Sequence, residues 1–202
     1  MRWDDMLGHV LPSVTGCPDQ LAIDHLVKAA RIFCAKTLVW NYSTLAIESV
    51  AGQALYPLQL DDGQELVRLL GCEVNGRLYE TPGGLTGRRR QRAQESNTCV
   101  LINALEFQLE PAPGVAGDEI ITDVAVKPTL AATEWPDELE ESVSDIVHGA
   151  IASLCELPRV TWNDDKTALI QNARFADRIN TVAFKVSKGF GRSRQGAAVQ
   201  WF

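Results

Sequence analysis

The 202-residue sequence is first of all short of long apolar runs. None approaches the ~20 residues that a membrane span needs, and no basic segment followed by an apolar one opens the chain. Neither export nor anchoring is expected. It has no CxxC pair. The five cysteines, Cys17, Cys34, Cys72, Cys99 and Cys155, are odd in number and widely spaced, which fits reduced thiols serving as small apolar core residues in a protein assembled in a cytosol. The three histidines, His9, His25 and His148, are too scattered to form a zinc site with one another or with the cysteines. Internal repeats are absent, as is any serine or cysteine in a nucleophile elbow. The last shortage is of one charge sign: no acidic residue follows Asp177.

That shortage divides the chain. Residues 178–202 carry five basic groups, which leaves 14 basic and 26 acidic groups, a net of −12, on residues 1–177. The overall charge of −7 and pI near 5.0 are not those of a global nucleic-acid binder. The basic stretch is opposite in sign to everything before it. With 46% hydrophobic and 22% charged residues, the composition is that of a globular protein with one good core, or a core and a satellite domain.

Helical signals occur at both ends of the chain. Met6, Val10 and Leu11 fit a short helix that Pro12 stops. Pro18 opens a second helix to about Thr37, with Leu21 or Ala22, Leu26, Ala30 and Phe33 on one face and Ile23, Val27 and Cys34 widening it. Trp135-Pro136 with Asp137, Glu138, Glu140 and Glu141 opens the longest helix, whose stripe is Leu139, Val143, Ile146, Val147, Ala150, Ile151 and Leu154. Asn163 is placed to cap a last helix carrying Ala168, Asn172, Phe175, Ile179, Val182 and Val186 at steps of four and three, which Gly189 and Gly191 break.

The middle of the chain is β-rich. Thr44 to Glu48 alternates as a strand with Leu45 and Ile47 on one side. Leu55-Tyr56-Pro57-Leu58 reads as an edge strand because of its proline. Glu65 to Val74 leads into Asn75-Gly76, a type I′ hairpin signal, with Arg77-Leu78-Tyr79 returning. Cys99 to Leu109 reads as strand with Leu105, Phe107 and Leu109 on one side, and Ile120 to Val126 as the last strand. The expected fold class is α+β: a helical bundle formed by residues 1–40 and 129–189, a β-rich insertion at 41–128, and an extended C-terminal arm at 190–202.

Motifs that carry chemistry are scarce. Gly83-Gly84-Leu85-Thr86-Gly87-Arg88 lacks the Gly-Lys-Ser/Thr ending of a phosphate loop and reads as a plain loop. Arg88, Arg89, Arg90 and Arg92 form a loop tip that suits an acidic neighbouring subunit, or DNA phosphates. The acids of 137–145 and Asp164-Asp165 are explained by helix dipoles, without a metal. In the stretch Arg192 to Phe202, basic and small residues end in Trp201 and Phe202, two aromatics suited to anchoring in a partner's pocket.

Several stretches in order carry a family likeness. They are Trp3-Asp4-Asp5-Met6-Leu7 through Pro12, Gly16-Cys17-Pro18, Ala29-Ala30-Arg31-Ile32-Phe33-Cys34 and Thr37-Leu38-Val39-Trp40. Then come Val50-Ala51-Gly52-Gln53-Ala54-Leu55-Tyr56, the Asn75-Gly76-Arg77 hairpin and Trp135-Pro136 with its helix. A Pro-Arg-Val-Thr-Trp link at 158–162 and a final helix closed by Gly189-Phe190-Gly191 complete the series. In this order of elements the chain resembles the head-to-tail adaptor proteins of tailed bacteriophages, the group that includes tail tubular protein A of short-tailed phages. The Thr81–Ser96 stretch has no counterpart in that pattern.

The resemblance implies a structural protein without catalytic residues, cofactor or metal. It would form a ring of copies, a dodecamer, on the portal protein, and its other face would receive the tail or nozzle protein. Genomic DNA would pass through the lumen without sequence-specific binding, and no membrane is involved. The arm reaching the portal would use Lys188, Phe190, Arg192, Arg194, Trp201 and Phe202. Its place would be the neck of the virion, and the host cytoplasm during assembly. The alternatives are a tail-completion or stopper protein of the same assembly, or a soluble enzyme with an unrecognised site.

Overall fold

The computed structural model describes residues 2–82 and 97–189. The fold is α+β. The chain divides into two compact units, one made of Met1–Trp40 with Lys127–Gly191, the other of Asn41–Val126.

In the helical unit, a 3₁₀ turn at Trp3–Met6 leads into α1 (Leu7–Val10) and a second 3₁₀ turn at Leu11–Ser13. Pro12 therefore lies inside a tight turn instead of ending a helix at its own position, because the fixed φ of proline suits the first residues of such a turn. α2 (Asp19–Thr37) starts after Pro18 and ends at Leu38, whose φ of 56° is left-handed and whose N–H reaches Cys34 O at 2.9 Å. Ala22, Leu26, Ala30 and Phe33 are fully buried along it. The acid-rich opening at Asp137–Ser142 is 3₁₀, and the α-helix α3 (Val143–Cys155) begins only after it.

α3 is the centre of this unit. It packs against α2 on one side and α4 (Asp165–Ser187) on the other, and nine of its thirteen residues are buried. Gly149 makes the close approach to α4 possible: a Cβ there would lie 2.8 Å from Phe175. Phe175 in turn stacks on Phe33 of α2 at 6.1 Å between centroids, so one ring ties three helices. Trp3 and Trp135 meet edge to face at 4.9 Å.

α4 is capped by Asp164, not by Asn163. The Asp164 carboxylate accepts from Lys166 N, Thr167 N and Thr167 Oγ1 at 2.7 to 3.1 Å. Asn163 instead donates to Cys155 O at 2.9 Å, closing the turn from α3. Asn172 is exposed on α4, and Gln171 takes the half-buried place beside α3, where its Oε1 meets His148 Nδ1 at 2.6 Å.

The other unit is built on antiparallel pairs. The larger sheet runs β1 (Asn41–Ser43), β8 (Glu119–Pro128), β4 (Gln64–Val74), β5 (Arg77–Tyr79), with β2 (Ile47–Glu48) also on β8. The smaller runs β3 (Leu55–Pro57), β7 (Glu106–Glu110), β6 (Thr98–Asn103), with Pro57 on an edge strand. Asn75 and Gly76 have φ of 46° and 77°, the type I′ pattern that closes β4 onto β5.

Two strand expectations are corrected here. Thr44–Glu48 is not one alternating strand: β1 stops at Ser43, Thr44 turns inward to share a 2.8 Å hydrogen bond with Thr122, and Leu45 is exposed. A buried hydroxyl partner from a distant strand outweighs local hydrophobic alternation. Cys99–Leu109 is two strands with a turn at Ala104-Leu105, so Leu105 is exposed while Phe107 and Leu109 are buried. Asn103 makes that turn, accepting from Leu105 N at 2.8 Å and donating to Glu106 at 2.7 Å.

Candidate functional site

Among the described residues, the groups able to act as nucleophiles or bases are the cysteines and His25. All five cysteines are buried and free. Burial pushes the Cys34 thiol up to about 12. Burial also raises Cys17 and Cys155, with nearby Asp19 and Asp164 adding to it. Cys72 is raised first by its hydrogen bond with Cys99 and then by burial. None of these four is a thiolate nucleophile at neutral pH.

His25 Nδ1 lies 2.7 Å from Ser153 Oγ, the arrangement of a base beside a hydroxyl. Ser153, however, donates its proton to Ala150 O at 2.9 Å. The histidine is therefore the donor in that pair, and the serine is not activated. Burial lowers the pKa of His25, keeping the ring neutral. Among the described residues no three His, Cys, Asp or Glu side chains come together as a metal site, and no helix is long and apolar enough to cross a membrane.

A cavity of about 210 Å³ in the β unit is lined by Val67, Arg68, Leu69, Thr81, Pro82 and Leu101 among others. It offers one cation and no acid–base pair. It lies beside the two ends of the arginine-rich segment. Those ends are held together by Glu80 N to Asn97 O at 2.7 Å and Cys99 N to Glu80 O at 2.9 Å. Arg88, Arg89, Arg90 and Arg92 themselves lie outside the described residues.

The best-defined candidate surface is on α4. At its end, Lys188 Nζ lies 4.7 Å from the centroid of the Phe184 ring, a cation over an aromatic face. Gly189 follows with φ of 86° and donates to Val186 O at 2.9 Å, ending the helix in a left-handed cap. Of the arm residues named from sequence, Lys188 is placed here. Phe190, Arg192, Arg194, Trp201 and Phe202 lie outside the described residues.

Arg178, the first base after the last acid, is already engaged: its Nε lies 2.7 Å from Asp145 of α3, whose side chain is buried. That carboxylate raises the arginine's pKa further. Free basic character on α4 beyond Asp177 therefore rests on Lys185 and Lys188.

Sequence reasoning missed the outer side of α4. Leu169, Ile170 and Phe184 are 72%, 53% and 61% exposed. Leu169, Ala173, Ala176, Asn180, Ala183 and Ser187 recur at steps of four and three, the same rhythm as the buried stripe. That stripe includes Leu169 but neither Ile170 nor Phe184, so no apolar periodicity marks the outer side. Compared with known proteins, the chain matches no family model and no curated protein significantly.

Proposed function

We propose that this chain is a structural connector, a protein whose activity is to hold two larger bodies together through repeated copies of itself. More specifically, it is a head-to-tail adaptor of a tailed bacteriophage. It docks as a ring on the portal through residues 188–202 and offers its opposite face to the tail or nozzle protein, with genomic DNA passing through the lumen.

The observation carrying this reading is the charge break at α4. The acid-rich chain before Asp177 gives way to a stretch without a single acid, and that stretch leaves the helix at Lys188-Gly189 toward Trp201 and Phe202. A body of net charge −12 repels its own copies until a partner organises them.

Energetics identify the anchor. Ordering residues 190–202 costs on the order of 1 kcal/mol for each residue fixed. Arg192 and Arg194 supply register and salt dependence more than affinity. Seated in a pocket of the partner, Trp201 and Phe202 would bury ~150–250 Å² each at ~25 cal/mol per Å², about 4–6 kcal/mol apiece, and are the groups able to offset most of that cost.

The test is co-sedimentation with purified portal protein at physiological salt. Deletion of Gln200–Phe202 is expected to leave the body folded and weaken attachment by more than about tenfold, as for loss of a hot spot. Arg192→Ala with Arg194→Ala is expected to weaken it less and flatten its salt dependence. Binding of the truncated chain as tight as that of the full chain would overturn the reading.

A further inference from the structure

We infer that Cys72 and Cys99 form a reversible disulfide, a covalent staple that ties the larger sheet to the smaller one beside the ends of the arginine-rich segment. The inference uses only the β unit and does not depend on the adaptor reading.

Strand register puts the two side chains on one face. Cys72 of β4 stands opposite Tyr79 of β5. Glu80, the next residue, bridges Thr98, and Cys99 follows Thr98. Side chains alternate along a strand, so Cys72, Tyr79 and Cys99 share one face while Glu80 and Thr98 share the other. Cys72, Tyr79 and Cys99 are all buried. The Tyr79 phenol senses both sulfurs: burial raises its pKa first, and Cys72 and then Cys99 add to that. The two thiols themselves are joined by a hydrogen bond. The other three cysteines, Cys17, Cys34 and Cys155, belong to the helical unit.

Hydrogen-bond direction and access assign the roles. The bond to Cys99 raises the pKa of Cys72, and a hydrogen bond does this when the thiol it raises is the donor. Cys72 therefore donates and the Cys99 sulfur accepts. Cys99 also borders the cavity of about 210 Å³, which is room for several molecules the size of water at ~30 Å³ each. A peroxide entering there meets Cys99 first.

The oxidant is a peroxide, and the steps balance. The Cys99 sulfur attacks one peroxide oxygen, the O–O bond breaks, and the displaced hydroxide takes the thiol proton and leaves as water. This makes a sulfenic acid on Cys99. The Cys72 sulfur then attacks Cys99, the S–O bond breaks, and the hydroxyl leaves with the Cys72 proton as a second water. Two thiols give up two electrons to one peroxide. A thiol reductant returns both electrons and reopens the pair. The thiolate is the attacking form and Cys72 holds its proton, so the second step is the slow one and quickens as pH rises.

The bond closes a loop made of residues 73–98, which include Arg88, Arg89, Arg90 and Arg92. A cross-link across a long loop stabilises the fold by restricting the unfolded chain. A reducing cytosol keeps such a pair open, and an oxidising medium closes it.

The test treats the folded full chain with hydrogen peroxide, alkylates the remaining thiols after denaturation, and maps peptides without reduction. A link between Cys72 and Cys99 is expected, with Cys17, Cys34 and Cys155 alkylated. The linked protein should melt at least about 5 °C above the same sample reduced with dithiothreitol. Cys72→Ala, verified as folded by circular dichroism, should form no link and should carry a sulfenic acid on Cys99 that dimedone traps. The inference is overturned by any of five results: no link between the two after peroxide, a link to another cysteine in its place, a link that dithiothreitol does not reverse, a linked protein that melts no higher than the reduced one, or a folded Cys72→Ala chain without the dimedone adduct.

Discussion

Gly149 is the residue on which the helical unit closes. Alanine is the better helix former by about 0.8–1 kcal/mol, so propensity alone favours Gly149→Ala. The new methyl, however, would stand 2.8 Å from Phe175 Cε1 and Cζ. Phe175 cannot simply swing away, because it is buried and stacked on Phe33. Overpacking of this kind costs about 1–3 kcal/mol, so the clash outweighs the propensity gain. We expect Gly149→Ala to lower the melting temperature, and a rise would show that the three helices have slack at this ring. The sequence marked Phe175 as core but carried no sign that Gly149 faces it, since a glycine within a helix also reads as a simple propensity defect.

At the scale of an element, α4 depends on its first turn. The two N–H bonds and the Thr167 hydroxyl bond to Asp164 hold its carboxyl below the ordinary carboxylate range. The folded-state pKa is below the unfolded one, so the stabilisation is fully present above the unfolded value and is lost as pH falls through the folded one. We therefore expect Asp164→Ala to melt at lower temperature than the wild type at neutral pH, with the gap narrowing below about pH 4. A gap that stays constant into acid would mean that the cap contributes nothing through its charge. The cap was legible to within one residue: both Asn163 and Asp164 are good cap types, and which of them caps depends on where the chain leaves α3. The Asn75-Gly76 hairpin needed no such context, because both residues adopt the left-handed conformations that the turn requires. The 99–109 stretch failed as a single strand because Asn103 and Glu106 form a turn that interrupts its alternation.

For the whole molecule, the arginine-rich segment is the simplest part to separate from folding. Its two ends are joined by backbone bonds around Glu80, and the strands that carry them, β5 and β6, pair with β4 and β7. None of those bonds needs an arginine side chain. We expect replacement of Arg88, Arg89, Arg90 and Arg92 by serine to leave the fold intact while weakening contact with an acidic subunit or with DNA. A fall in melting temperature of more than about 8 °C, beyond a loss of ~1 kcal/mol for a chain of this size, would make the segment structural.

By itself the sequence determined the α+β class, the span and inner face of α2 and α4, the Asn75-Gly76 turn, and the charge break after Asp177. Each is set by residues close together in the chain, through periodicity, capping, turn conformation or counting. Tertiary structure decided the rest. Leu45 and Leu105 are exposed, against local alternation, and Thr44 is buried because Thr122 satisfies its hydroxyl. On α4 the inner face was legible from Ala168, Phe175, Ile179 and Val186, but Asn172 in the same rhythm is exposed. The inner stripe is buried because Phe175 meets the gap left by Gly149 and Arg178 reaches Asp145. Periodicity is a property of one segment, whereas burial belongs to a pair of surfaces, and the second surface of that pair lies elsewhere in the chain.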